Sequence, residues 1–424
     1  RRQRQMCIRD RYNTMNKFIY LGSEWAESHE KLYLLGDSIL FLLFLLGVLY
    51  LFIFAFFSLK KRKDTYPKAR KRYRFAVLFP AYDEDEVILH SVEDFLRQEY
   101  PRDKYDIIVI SDHMSDETNE RLRDLSAKVV KITEEKSTKT NALQKAIKYI
   151  EDKQEVYDIV VILDADNQVP TNYLDKINDA FYSGCSVVQT HRVAKNLNTD
   201  TAVLDAVSEE INNSIFRKGH VRLGFSSALI GSGMAFEYPL FQENIWKVGP
   251  IGVDKQLEKV LLSQYIYIEY LEDVLVYDEK IQGSRGFYNQ RRRWLANQFS
   301  SLMSGITQLP IALLKGNWDY CDKLFQWAMP PRVILLGFIV LFSVFFTFFD
   351  WVLSIKWWFL LVLLGITFSI AVPDNLVDHR FRKALKHLPL LFILMFLNFF
   401  RLRGANKKFI HTKHSHIDKL PVKK

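Results

Sequence analysis

The sequence predicts an α/β domain with a mainly parallel sheet, flanked by transmembrane helices. Between residues 74 and 299, short β-branched runs alternate with helical segments, as in strands joined by helical crossovers. The runs are almost continuously apolar, which is typical of strands covered on both faces. Long uncharged apolar segments lie before and after this region, with lengths near the roughly 20 residues that cross a bilayer.

The first transmembrane helix is expected at 38–59, a segment that carries no charged side chain. The basic run KKRKDTYPKARKRYR follows it, and such flanks normally stay in the cytoplasm, so this helix should run from outside to inside. Residues 1–37 form an N-terminal segment. Its first part, 1–11 (RRQRQMCIRDR), resembles translated cloning sequence ahead of a start at Met15, and we exclude it from the fold prediction.

The α/β domain is expected at 74–299. Its predicted strands are RFAVLFP, YDIIVIS, AKVVKI, YDIVVILD and CSVVQT, and two predicted helices are EVILHSVEDFLRQ and TNALQKAIKYIED. In such sheets, functional residues gather at the carboxyl ends of the strands. Several acidic residues of this sequence follow its strands directly.

Beyond the domain, the amphipathic segment 300–314 predicts a helix in the membrane interface, interrupted by Pro310. Two further spans are expected at 332–349 and 357–372, joined outside the membrane by the short link FDWVLSIK.

The segment 385–400 contains only a short apolar run with basic residues on both sides. This favours an interfacial helix, with a fourth span as the alternative. Three spans leave the α/β domain and the basic tail, 401–424, on the cytoplasmic side. The layout predicts a multi-pass protein of the plasma (inner) membrane.

The formal net charge is +9, from 58 basic and 49 acidic side chains. The basic residues cluster beside the apolar segments, which favours an anionic membrane surface over nucleic acid as the partner. The three cysteines, Cys7, Cys185 and Cys321, are too widely spaced for a disulfide framework or a zinc site.

Asp164 and Asp166 form a D-x-D pair where an apolar strand opens into a loop. Two such carboxylates can hold one divalent cation against a diphosphate, and their hard oxygens suit Mg²⁺ or Mn²⁺. The cation would offset charge on a departing nucleoside diphosphate. A solvated turn or a helix cap is the alternative interpretation.

Two earlier strands also end in polar loops. FPAYDEDE contains Tyr82 and Glu84, and ISDHMSDET contains Asp112 and Asp116. An Asp at a strand end can accept a hydrogen bond from a nucleotide base, and an aromatic ring can pack on that base. Helix capping explains the same acids equally well.

Asp254 opens a helical segment in GVDKQLEK, and NQRRRWLANQF contains Gln290, Arg293 and Trp294. Sugar transfer to a hydroxyl needs a base, for which Asp is suitable. Arg binds phosphate oxygens through a planar fork of donors, and Trp offers a face for a sugar ring. The alternatives are a helix cap for Asp254 and contact with lipid phosphates for the basic stretch.

The order D, D-x-D, D, Q-x-x-R-W resembles the inverting glycosyltransferases of family 2. The membrane-bound processive type, which includes cellulose, chitin and hyaluronan synthases, is the more similar. The resemblance covers 74–314 by motif and the flanking segments by layout. It implies a GT-A-like fold, a nucleotide-sugar donor with UDP favoured, a metal, and a glycan or lipid acceptor.

The same resemblance implies roles for individual residues. The donor-binding residues would be Tyr82, Glu84, Asp112, Lys139, Asp164, Gln290 and Arg293. The acceptor-binding residues would be Trp294 and Gly231, Ser232 and Gly233 of the GSGMAF loop. Asp166 would bind Mg²⁺ or Mn²⁺, and Asp254 would be the general base.

Two departures from the family pattern leave alternatives open. The family's T-E-D triplet is Gly252-Val253-Asp254 here, and the spans are fewer than in the large synthases. The first hypothesis is polysaccharide synthesis, with accessory partners for export. The second is transfer of a single sugar to a polyprenyl phosphate or glycolipid. A non-catalytic membrane protein is the remote third.

Overall fold

A computed structural model describes residues 31–60, 66–134 and 137–400 of the chain. Two compact units are present: 31–50 with Phe338–Leu364, and Leu51–Gly337 with 365–400. The predictions for segment 1–11 and for the basic tail lie outside the described residues.

The second unit contains a seven-stranded mixed sheet. Its strands are β1 Phe75–Tyr82, β2 Tyr105–Asp112, β3 Lys128–Ile132, β4 Ile159–Ile162, β5 Val187–Ala194, β6 Met234–Glu237 and β7 Glu269–Asp278. Their order is β3-β2-β1-β4-β6-β5-β7. All neighbouring pairs are parallel except those of β6, which is antiparallel to both β4 and β5. The predicted mainly parallel sheet is confirmed.

The helices lie between the strands in the chain and also before and after them. They are α1 Lys31–Ser58, α2 Asp85–Phe95, α3 Asp116–Asp124, α4 Lys139–Asp152, α5 Tyr173–Tyr182, α6 Asp200–Asn212, α7 His220–Arg222, α8 Tyr238–Ile245, α9 Val253–Ser263, α10 Ser284–Gly305, α11 Leu309–Leu314, α12 Trp318–Ala328, α13 Arg332–Phe349, α14 Trp351–Ala371, α15 His379–Ala384 and α16 Leu388–Phe400. A π-helical segment, Asn213–Gly219, joins α6 to α7.

The strand β1 shows why the sheet is covered on both faces. Phe75, Val77 and Phe79 belong to one core cluster, whereas Ala76 and Leu78 belong to another on the opposite face. All five are completely buried. Since successive side chains of a strand alternate between faces, an uninterrupted apolar run requires packing on both.

The sheet contains two strands that were not predicted, β6 and β7. The position of β6 depends on the glycine loop that precedes it. The Gly233 N–H donates to Ile162 O over 2.9 Å, which aligns the chain for antiparallel pairing with β4. Four residues are too few to give a clear alternating pattern, so the sequence did not predict this strand.

Three helices in the described part of the chain, α1, α13 and α14, are long and apolar enough to cross a membrane. The helix α14 begins at Trp351, within the segment predicted as a link. Its Trp357 and Lys356 both contact Asp37 of α1 in the first unit, the indole N–H donating to Asp37 Oδ1 over 3.0 Å. Mutual pairing satisfies these polar groups inside an otherwise apolar unit.

The region after residue 299 also differs in detail from the prediction. The helix α10 continues to Gly305 and is followed by a short 3₁₀ turn and by α11, in which Pro310 occupies the first turn. Proline is tolerated there because the first helical N–H groups have no partner inside the helix.

Candidate active site

Because β1, β2 and β4 run parallel, their carboxyl ends meet at one edge of the sheet. Tyr82, the last residue of β1, is in register with Asp112, the last residue of β2. The Asp83 N–H donates to Asp112 O over 2.9 Å and joins the two loops. Glu84 and the Asp112 side chain are both buried. The two polar loops of the sequence thus form one surface.

His113 belongs to this surface, although the sequence did not single it out. Its Nδ1 lies 2.6 Å from Asp112 Oδ1, and its ring centroid lies 5.0 Å from that of Tyr82. His113 and Asp83 both have positive φ, at 58° and 53°. Such backbone is costly outside glycine and occurs often at ligand sites. A single His beside an acid has no diagnostic spacing, so only the structure shows it.

The capping alternative applies to neither Asp112 nor Asp116. The N-cap of α3 is Ser115, whose hydroxyl accepts from the Thr118 N–H over 3.1 Å. Asp116 follows inside the helix and forms an ion pair with Lys131 at 2.5 Å.

Lys139, at the start of α4, connects the D-x-D loop to the glycine loop. Its Nζ donates to the Asp164 carboxylate, and to Gly231 O over 2.7 Å. The helix start is fixed by Thr138, whose hydroxyl accepts from the Asn141 N–H. Segments separated by 92 residues therefore meet at one ammonium group.

Asp166 is buried and is held from two sides. Its Oδ2 accepts the Glu279 N–H over 2.9 Å, and its Oδ1 lies 3.3 Å from Asn167 Nδ2. The same Asn167 nitrogen donates to Asp278 Oδ1 over 3.2 Å. The second carboxylate of the D-x-D pair is thereby fixed against the end of β7.

Behind Asp166 lies a buried set of charges, the carboxylate cluster, formed by Glu209, Asp278, Arg192 and Lys280. Arg192 donates to both Glu209 oxygens at 3.1 and 3.0 Å, and Lys280 lies 2.8 Å from Asp278. Burial alone would raise the pKa of Glu209, but the Arg192 and Lys280 charges hold that pKa below its ordinary value. The same two charges lower the pKa of Asp278.

The glycine loop needs glycine at two positions. Gly231 and Gly233 have φ of 88° and 64°, and a Cβ on Gly233 would lie 2.4 Å from Thr190 Oγ1. Between them, the Ser232 hydroxyl is buried and has no hydrogen-bond partner among the described residues. Gln189 fixes the loop by donating to Ser232 O over 2.9 Å.

Asp254 is the second residue of α9 and does not cap it. The N-cap is Gly252, in the left-handed conformation at φ 69°. The preceding loop is held beside Lys139 because Thr140 Oγ1 donates to Gly249 O over 3.0 Å. A Cβ on Gly252 would lie 3.4 Å from the Asn297 side chain of α10. The loop before Asp254 therefore contacts both α4 and α10.

The helix α10 carries Gln290, Arg293 and Trp294. Burial lowers the pKa of Arg293, and the negative charges of Asp164 and Asp254 partly offset that effect. Two acids from distant parts of the chain therefore act on one guanidinium. Gln290 Oε1 is buried and has no hydrogen-bond partner among the described residues.

No group of three or more His, Cys, Asp or Glu side chains in the described ranges could hold a metal ion unaided. A cation at the D-x-D pair would need further ligands from a bound molecule.

The sequence and the fold were compared with those of known proteins. Residues 72–297, more than half of the chain, match the family described as glycosyltransferase like family 2. The chain belongs to this family. Among curated proteins, none matches the sequence significantly.

Two solved structures are similar to this family 2 chain, and the first of them shares its fold. A mannosyltransferase from Pyrobaculum calidifontis, in complex with GDP-Man and Mn²⁺, has 18% identity and a TM-score of 0.51, over 81% of this chain and 99% of its own. Glucosyl-3-phosphoglycerate synthase from Mycobacterium tuberculosis, in complex with Mn²⁺, UDP and glucosyl-3-phosphoglycerate, has 15% identity and a TM-score of 0.35, over 54% of this chain and 80% of its own.

Proposed function

We propose that this protein is an inverting glycosyltransferase that moves a sugar from a nucleotide sugar to a glycan or lipid-linked acceptor at the cytoplasmic face of the plasma membrane. One observation carries the proposal. Lys139 joins the D-x-D residue Asp164 to the glycine loop through its hydrogen bonds to the Asp164 carboxylate and to Gly231 O. The charges of Asp164 and of the remote Asp254 also both act on the half-buried Arg293 of α10. Two cations, Lys139 and Arg293, are thereby associated with carboxylates from distant parts of the chain.

The donor would lie along the strand ends. Tyr82 and Glu84 would approach the nucleotide, and Asp112 would bind its base. The cations Lys139 and Arg293 are placed to bind the diphosphate, because charge-assisted hydrogen bonds to phosphate are strong. The fold similarity to a mannosyltransferase solved with GDP-Man supports a nucleotide sugar. UDP is our first candidate nucleotide, on the family resemblance.

The residues present fit a divalent cation of the Mg²⁺ or Mn²⁺ type. Such ions are commonly held by one or two carboxylates together with substrate phosphates, so Asp166, with Asp164, is a sufficient protein contribution. When bound, the ion would offset charge on the leaving diphosphate. Lys139 already pairs with Asp164, so Asp166 would be the principal ligand.

Asp254 would act as the general base. It would take the proton of an acceptor hydroxyl while that oxygen forms a bond to the anomeric carbon, and the bond from that carbon to the diphosphate oxygen breaks. A single in-line displacement inverts the configuration. Trp294 would stack against the acceptor sugar. The unpartnered Ser232 hydroxyl, between Gly231 and Gly233, would donate a hydrogen bond to it.

The first candidate process is polysaccharide synthesis of the cellulose, chitin or hyaluronan synthase type, with accessory export partners. Q-x-x-R-W on a helix that precedes candidate spans supports it. The second candidate is single transfer to a polyprenyl phosphate or glycolipid. It is favoured by the small number of candidate spans, three in the described part of the chain. Product length separates them, since a ladder of oligomers requires repeated transfer.

Membranes from cells expressing the full chain, incubated with a panel of labelled nucleotide sugars, test the proposal. We expect one or two sugars to enter a product, and EDTA to abolish the incorporation until Mn²⁺ or Mg²⁺ is restored. In parallel, purified protein should bind a nucleoside diphosphate only with the metal. Absence of metal-dependent binding for every nucleotide in the panel would refute the enzyme assignment.

A further inference from the structure

A buried ion pair, Glu258 with Lys323, lies next to the segment that leads into the glycine loop. Glu258 belongs to α9 and is completely buried, and Lys323 belongs to α12 and is 2% exposed. Lys323 Nζ lies 3.5 Å from Glu258 Oε1. The surroundings are apolar, since Leu257, Leu261 and Leu324 of the same two helices belong to one core cluster. Neither charged residue has a role in the proposed reaction so far.

Glu258 holds the chain where it enters the glycine loop. Its Oε1 accepts the Leu229 N–H over 2.6 Å, a buried hydrogen bond between residues 29 positions apart. The next N–H, of Ile230, donates to the neutral Gln189 Oε1 over 3.0 Å. A hydrogen bond to a carboxylate is the stronger of the two types. Leu229 lies two residues before Gly231, so Glu258 fixes the start of the loop.

The same carboxylate belongs to the helix that carries the proposed base. Asp254 and Glu258 are four residues apart in α9, so their side chains lie on one face of the helix, about one turn apart. A hydrogen-bonded helix is a rigid spacer between them. The bond from Leu229 to Glu258 therefore fixes the loop backbone relative to the helix of Asp254.

Lys323 extends this arrangement to α10, the helix with the proposed acceptor platform. Two hydrogen bonds join α12 to α10. Gln298 Nε2 donates to Trp327 O over 2.9 Å, and the Tyr320 hydroxyl donates to Gly305 O over 3.0 Å. Through α12, the ion pair therefore connects three segments assigned to the acceptor side, namely the glycine loop, α9 and α10.

The energetics of the pair favour a positioning role over a stabilising one. The second carboxylate oxygen, Glu258 Oε2, is buried and has no hydrogen-bond partner among the described residues. A buried acceptor without a partner is costly, and apolar residues of similar volume often stabilise a protein as well as a buried ion pair does, or better. Stability alone therefore explains the pair poorly, whereas the positions that it fixes explain it.

We propose that Glu258 is a positioning residue that sets the distance between the glycine loop and the general base Asp254, and that Lys323 compensates its charge. The inference rests on the proposed function, which assigns Ser232 of the loop and Asp254 to one acceptor. A displacement of about 1 Å at a reacting group can lower a rate by on the order of 10²-fold. A small movement of the loop would therefore reduce turnover without weakening donor binding.

Two double variants separate positioning from stability. The first, Glu258→Gln with Lys323→Met, removes both charges and keeps an oxygen for the Leu229 N–H. The second, Glu258→Leu with Lys323→Met, removes the charges and the oxygen. We expect kcat to stay within about threefold in the first and to fall by about 10–10²-fold in the second, with the donor KM unchanged in both. Glu243→Gln with Lys247→Met, an exposed pair, is the matched control and should change nothing.

Hydrogen exchange and nucleotide binding are measured on the same full-length samples. The peptide that contains Leu229 should exchange faster in the second double variant than in the first, because its N–H has lost an acceptor. Equal kcat values for the two double variants would overturn the positioning role. A loss of metal-dependent nucleotide binding that matches the loss of turnover would overturn it as well, since it would indicate a general structural role.

The two levels of the argument fail in different ways. Absence of metal-dependent nucleotide binding by the unaltered protein would refute the proposed function itself. Intact binding and turnover in the unaltered protein, with no difference between the two double variants, would refute the positioning role of Glu258 alone.

Discussion

Two clusters of charged residues lie near the candidate active site, and they differ in their balance of acids and bases. The carboxylate cluster contains two acids and two bases, and its hydrogen bonds join them to each other. The second cluster, Arg217, Arg291 and Arg332, has fewer acids near it, since Asp205 pairs with Arg291 and Glu209 acts on Arg217. A buried set of matched charges fixes positions through ion pairs, whereas Arg332 is held by hydrogen bonds to Ser208 instead of by an acid. Asp166 is anchored by the first, and Trp294 adjoins the second.

The largest effect should come from Asp254, whose charge acts on Arg293 of α10. Asp254→Asn removes the proposed base, and we expect transfer to fall by about 10²–10⁴-fold while nucleotide binding stays unchanged. Turnover of the labelled sugar and metal-dependent nucleotide binding would be measured together. The exposed Asp273→Asn is the control. Retained turnover in Asp254→Asn would remove this residue from the base role.

The next largest effect is expected from a variant that disrupts the carboxylate cluster. Arg192→Met leaves Glu209 and Asp278 short of positive charge, and we expect the free energy of unfolding to fall by about 3–5 kcal/mol. Thermal unfolding in detergent would show it as a lowered midpoint. The matched control is Lys247→Met, which breaks an exposed pair with Glu243 and should cost at most about 0.5 kcal/mol. Equal midpoints for the two variants would contradict the structural role of the cluster.

A smaller effect is expected in the glycine loop, which packs against Gln189 and Thr190 of β5. Gly233→Ala places a Cβ 2.4 Å from Thr190 Oγ1 at a φ of 64°. We expect destabilisation of about 2 kcal/mol, since backbone strain and overlap add. Gly316→Ala has nearly the same φ, 66°, but no close neighbour, so it measures the backbone cost alone. If both variants unfold at the same temperature, the overlap has no role.

The smallest effect should come from Lys139, the link between the D-x-D loop and the glycine loop. Lys139→Met should raise the donor KM about tenfold, because one charge-assisted hydrogen bond to the diphosphate is lost. Lys145→Met, on the same helix α4, is the control, since Lys145 pairs with Glu134 on the surface. A donor KM unchanged by Lys139→Met would place this lysine outside the donor site.

The local chemistry of the site was largely predictable from sequence. Asp164 and Asp166 follow an apolar strand, and the sheet must bring that strand end beside Asp112, because parallel strands share an edge. The family motif added Asp254 and Arg293. His113 was not predictable in this way, since its contribution depends on a positive φ that no residue pattern signals.

By itself, the sequence determined the alternation of strands and helices, the apolar candidate spans and the polar strand ends, because these depend on periodicity and on neighbouring residues. Tertiary structure alone decided which distant charges meet. Arg192, Glu209 and Lys280 come from separate elements, as do Arg291 and Arg332. Pairing energies depend on distance and burial in three dimensions, so the sequence does not show which of these charges pair.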